Sequence, residues 1–211
     1  MDASLKAKLK GRTEDQQKVI KYFLEPGGCF KKGISDEEFD NVLQAKLASL
    51  NLKQKALDKI GIEESQVNEI PPCEFHHWHY EKGKTYTKDG KDGKYRCSQY
   101  QVTWLFFSDK QVYVYQYTFN LDEDGKKERT EEYFWKDITN FSTSTESEEM
   151  VFTVYKGCMK NKPEEVRQTK DKDIFKLIVP GDAFICDMVL DSDAENKIKG
   201  MKNKLREKKG S

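Results

Sequence analysis

The chain has 211 residues, room for one large domain or two small ones. Its 12% aromatic content argues against wholesale disorder, and 37 basic residues against 37 acidic ones leave no global field to steer it toward nucleic acid or a membrane surface. No apolar run approaches the roughly 20 residues of a membrane span, and "MDASLKAKLKGRTEDQQ" lacks the apolar middle of a secretory signal, so a cytoplasmic protein is expected.

The first 70 residues read as short helices. In "TEDQQKVIKYFL", Thr13 and Gln16 form a capping-box pattern, Val19, Ile20, Phe23 and Leu24 share a face, and Pro26, Gly27 and Gly28 stop the run. Ser35 and Glu38 form a second box before "DEEFDNVLQAKLASL", with Phe39, Leu43, Leu47 and Leu50 recurring every three or four positions. A third helix is expected from Leu52 to Ile60, ended by Gly61. Three short amphipathic helices cannot bury their stripes alone and must pack on each other or on the strands C-terminal to them.

At Pro71 and Pro72 the backbone is forced to extend and the period becomes two. This places a boundary between a helical region, 1–70, and a β domain, 71–211. "YQVTWLFF" sets Tyr100, Val102, Trp104 and Phe106 against Leu105 and Phe107; "QVYVYQYTF" sets Val112 and Val114 against a row of Tyr113, Tyr115, Tyr117 and Phe119. Further strands are expected at "EEYFW", "ITNFSTST", "MVFTVY", "DIFKLIV" and "AFICDMV", the last two joined by the turn "PGD". A final helix opens on a box formed by Ser192 and Glu195 and carries the stripe Ala194, Ile198, Met201 and Leu205.

A meander of about seven strands closed by a helix, with "EYFWKDITNFSTS" in its middle and the step Asp137-Ile138 between strands, resembles a bacterial pleckstrin-homology-like domain over about residues 73 to 209. The resemblance implies an α+β chain: short helices, then an antiparallel barrel of two nearly orthogonal sheets, corked at one corner by Ile198, Met201 and Leu205. Whether that barrel begins at "CEFHHWHY" or at "YRCSQYQVTW" is left open.

Candidate sites are few. His76, His77 and His79 are the chain's three histidines; His77 and His79 would share a strand face, with Cys73 a third possible metal ligand. No second His or Cys cluster completes a tetrahedron, so the strand reading is preferred and no metal or cofactor is expected. The five cysteines, Cys29, Cys73, Cys97, Cys158 and Cys186, are odd in number and widely spaced, as free thiols are. "NLDEDGKKERTE" places Asn120, Asp122, Asp124, Gly125 and Glu131 near a calcium-loop template, but Asn120 stands first and Lys127 replaces the apolar eighth residue, which favours a polar hairpin tip. A phosphate loop at Gly83-Lys84-Thr85 lacks its first glycine, because Trp78 holds that place.

The segment 82–96 carries Lys84, Lys88, Lys91, Lys94 and Arg96. Eukaryotic pleckstrin-homology domains that bind phosphoinositides use a basic loop between their first two strands. The resemblance therefore offers these five residues as ligands for an anionic small molecule or lipid headgroup, against the plainer reading of a solvated hairpin. The row Tyr113, Tyr115, Tyr117 and Phe119 needs a cover, either the N-terminal helices or a partner. No nucleophile elbow, zinc-protease helix or dinucleotide-binding glycine pattern occurs. The expectation is a non-catalytic module that recognises a protein or peptide by shape and edge-strand pairing, with no nucleic-acid partner.

Overall fold

The computed structural model describes residues 3–25, 33–154 and 164–210. Pro26 to Gly28, Cys29, Tyr155 and Cys158 lie outside them. Four helices come first: α1 (Ala3–Leu9), α2 (Glu14–Leu24), α3 (Asp36–Leu50) and α4 (Leu52–Ile60). The capping boxes predicted for α2 and α3 both form. Thr13 Oγ1 accepts from Gln16 N at 3.3 Å while Gln16 Oε1 accepts from Thr13 N at 3.0 Å, and Ser35 and Glu38 exchange bonds of 3.1 and 2.7 Å. The α1 helix escaped the sequence reading because its seven residues offer only Leu5 and Leu9, which pack on Ile20.

After β1 (Cys73–Trp78) come a short hairpin, β2 (Thr87–Asp89) with β3 (Tyr95–Cys97), and the long strands β4 (Gln99–Phe107), β5 (Gln111–Asn120) and β6 (Lys126–Phe134). The larger sheet has the order β1-β4-β5-β6, antiparallel throughout. Alternation along β4 and β5 creates two cores. Val102, Phe106, Tyr115, Tyr117 and Phe119 face the helices, where they meet Val19, Tyr22, Phe23, Phe39 and Leu57. Leu105, Phe107, Val112 and Val114 face the opposite way, toward a second sheet.

That sheet is β7 (Asn140–Val154), β8 (Glu164–Val179) and β9 (Asp182–Met188), in the order β7-β8-β9. Phe141, Phe175, Leu177 and Phe184 meet the first sheet's inner face, and α5 (Ser192–Gly210) inserts Ala194, Ile198, Met201 and Leu205 into the same core. The expected stripe is therefore the buried one. Leu-to-Ala truncations in such a core cost about 2–5 kcal/mol.

Three expectations need correction. The architecture is α+β and antiparallel, but none of the three sheets closes into a barrel: β1 ladders only with β4, and β9 only with β8. What joins the sheets is side-chain packing, such as Phe75 against Phe175 at 5.1 Å between ring centres, and the turn after Phe134 carries the chain across without a ladder. "ITNFSTST" and "MVFTVY" are one strand, β7, because the polar tract between them is matched across the ladder. Thr145 Oγ1 donates to Asp173 at 2.8 Å, Ser147 Oγ to Asp171 at 2.6 Å, and Lys172 pairs with Glu148 at 3.1 Å. The cap of α5 is Asp191 rather than Ser192: Asp191 Oδ1 accepts from Ala194 N at 2.8 Å. The basic segment 82–96 contains most of the β2–β3 hairpin, as the plainer reading had it, and this hairpin packs against the helices.

Candidate functional site

The five predicted anion ligands have separate fates. Arg96, 2% exposed, places its guanidinium between Asp40 of α3 and Asp92 of the hairpin, with bonds of 2.7, 2.7, 2.9 and 2.9 Å. These bonds, donated to Asp40 first and then to Asp92, raise the Arg96 pKa, and the bond from Arg96 holds the Asp92 carboxyl well below its ordinary value. Lys88 tucks under α2, donating to Tyr22 O at 3.1 Å and standing 4.0 Å over the Tyr22 ring. Burial lowers its pKa. Lys84 pairs with Glu81. Lys91 and Lys94 stay exposed at the tip, while the Lys91 N–H donates to Asp36 Oδ2 at 2.7 Å. Gly90 fits because it lacks a side chain: a Cβ there would lie 2.2 Å from Arg96 Nη1. The basic segment thus acts as a clasp between helices and sheet.

The aromatic row lies under α2, α3 and α4. Tyr115, Tyr117 and Phe119 are buried, and Tyr113 is half-buried with its hydroxyl donating to Gln111 at 3.0 Å. Lys55 of α4 caps the Tyr117 ring at 4.9 Å.

His76 and His77 lie in β1, with His79 just beyond it, and His77 Nδ1 stands 3.9 Å from Asp187 Oδ2 of β9. His77 is buried, with Nδ1 2.8 Å from Trp78 O and Nε2 2.9 Å from Gln101 Oε1. The rings of His77 and His79 are 5.6 Å apart, and burial, together with His77, lowers the His79 pKa. Cys73 belongs to the core between the sheets, where burial pushes its thiol pKa up to about 12, so it is not a ready thiolate ligand. Among the described residues, no three His, Cys, Asp or Glu side chains converge as a metal set. At the calcium-like loop, Asn120 turns inward to accept from Gln99 at 2.5 Å, while Glu131 lies along β6 and bonds Tyr133.

Two features escaped the sequence reading. The first is the outer edge of β7. Val151 N–H donates to Tyr80 Oη at 3.2 Å and Val151 O accepts from Thr87 Oγ1 at 2.7 Å, so both backbone groups of Val151 point away from β8. The register with β8 runs unbroken from Asn140 to Val154, so Thr143, Thr145, Ser147 and Glu149 also point their N–H and C=O groups outward. No described strand pairs with that edge. The second is a groove of about 340 Å³ beside it, lined by Thr143 of β7, Leu190, and Ile198, Lys199, Lys202 and Arg206 of α5. The "STSTESEE" tract, polar at every position, was the available signal for an exposed strand.

Among the described residues, no helix is long and apolar enough to cross a membrane. No family model matches the chain, and neither a curated protein nor a solved structure does.

Proposed function

We propose that the chain is a non-catalytic, cytoplasmic interaction module of pleckstrin-homology-like plan, which recognises a protein segment by adding it as a strand to the outer edge of β7. The plan draws support from the strand orders. β1, β4, β5 and β6 form one meander with the β2–β3 hairpin inserted, β7 to β9 form a second, and α5 follows.

The observation that carries the mode of recognition is the run of outward backbone groups from Thr143 to Glu149. They repeat at roughly 6.8 Å, the two-residue spacing that an incoming strand matches. Sheet edges are usually blunted by lysine, proline or a bulge. Thr143, Thr145 and Ser147 supply none of these, and the neighbouring Glu146 and Glu148 are held by Lys176 and Lys172. Recognition of an anionic headgroup by Lys84, Lys88, Lys91, Lys94 and Arg96 has less support, since Arg96 and Lys88 are held by the helices.

Hydrogen exchange tests the proposal. Peptides selected on the whole protein from a phage-displayed random library should slow exchange at residues 143, 145, 147 and 149. Thr145→Pro removes an outward N–H that β8 does not use, so it should abolish binding while the protein stays folded. Protection confined to 82–96, or undiminished binding by the proline variant, would overturn the proposal.

A further inference from the structure

We infer that the segment added to β7 is acidic, with its carboxylates facing α5; this rests on the edge-strand reading above. The helix carries seven Lys and Arg residues from Lys197 to Lys209. They fall into two rows, one on each flank of the buried stripe. Lys197, Lys204 and Lys208 form one row, and each holds a carboxylate: Asp193 at 2.6 Å, Glu69 at 2.6 Å, and Glu69 at 3.6 Å together with Asp109.

Lys199, Lys202, Arg206 and Lys209 form the other row. Their spacings of three, four and three keep them within an arc of about 80° at 3.6 residues per turn. None of them forms an ion pair among the described residues; Arg206 bonds only the neutral Asn203, at 2.9 Å. Three of these four line the groove beside Thr143, where Glu195 is the one acidic side chain, so the lining carries three cations against one carboxylate.

Like charges crowded on one helix flank repel each other, and an anion laid between them relieves that repulsion. The neighbouring strand edge specifies the shape of the anion. An extended chain seated one strand spacing, about 4.8 Å, from β7 passes Thr143, where Lys199, Lys202 and Arg206 line the groove.

The test sequences the pool selected from a phage-displayed library of random twelve-residue peptides on the full chain, and measures affinities of its members at 50 and 300 mM NaCl. The expected pool is enriched in Asp and Glu, and its members bind more weakly in high salt. K199E/K202E/R206E should weaken them at least about tenfold while leaving the melting temperature within a few degrees; K199Q/K202Q/R206Q serves if the reversal unfolds the protein. A pool with no acidic excess, whose members still fail on Thr145→Pro, overturns the acidic preference and leaves the edge reading standing. Acidic peptides lost to the charge reversal but indifferent to Thr145→Pro overturn the edge reading and this inference with it. A pool without acidic peptides, together with sedimentation on phosphatidylserine vesicles that needs the same three cations, assigns the row to lipid instead.

Discussion

Arg96 of β3 and Asp40 of α3 meet through two parallel bonds, Nε to Oδ1 and Nη2 to Oδ2, both 2.7 Å, across 56 positions of sequence. Asp92 takes one bond from each Nη at 2.9 Å and the Lys94 carbonyl accepts a further one from Nη1 at 3.2 Å, a division that only a planar, five-donor group can serve. Arg96→Lys is expected to destabilise the protein by about 1.5–3 kcal/mol in urea melts, the range for bonds to charged groups. The partly hydrated Asp40 keeps the cost below that of a fully buried pair. Asp40→Asn should be strongly non-additive with it. Additive losses would mean that the two residues do not act together.

Carboxylates at two places should respond to acid with opposite sign. Asp92 is lowered by its Arg96 bond. For Asp36, burial pushes the pKa up, but the Tyr22 hydroxyl and Lys91 N–H outweigh it and leave it lowered. Both contribute stability that is present above the unfolded value of about 3.9 and lost as the pH falls through the lower folded value. Asp122 at the β5–β6 tip is raised to about 6, chiefly by burial. Its folded form therefore prefers the proton, and stability declines as the pH rises from about 4 toward 6. Asp122→Asn should stabilise the protein at pH 7 by about 1–3 kcal/mol and change little at pH 3.5. An equal effect at both pH values would show that the charge is not the cause.

The cap of α5 separates two neighbouring residues. Asp191→Ala should cost about 1 kcal/mol, because it frees the Ala194 N–H. Ser192→Ala should fall within about 0.5 kcal/mol of the wild type. Thermal melts of the two variants decide which residue starts the helix, and the reverse order of costs would restore the Ser192 box.

The helices and the larger sheet share one core, in which Phe39 stacks 4.4 Å from Tyr22 and lies 5.8 Å from Trp78. Residues 71–211 expressed alone should expose Tyr115, Tyr117 and Phe119, bind a hydrophobic dye and self-associate. In the whole chain, Phe39→Ala should lower stability by about 3–5 kcal/mol in a single transition monitored by both helix and sheet signals. Two separated transitions would mean that the helical region folds independently.

Elements whose cause lies within about a dozen residues were legible in the sequence. The Thr13-Gln16 box, the alternation through β4 and β5, the Pro180-Gly181 turn and the α5 stripe all follow from local period and capping chemistry. That the tyrosine row required a cover was legible too, since an apolar face must be hidden, but nothing along the strand names what hides it. The fate of charge was not legible. Arg96 and Lys199 look alike as cations in a basic stretch, yet the fold brings two carboxylates to one and, among the described residues, none to the other. Only the tertiary structure decided which cations remain free, because an ion pair depends on neighbours that chain order does not place together. It also decided that the sheets stay open, leaving β7 with an edge that no described strand pairs, because strand closure depends on how two sheets pack and not on the pattern within either.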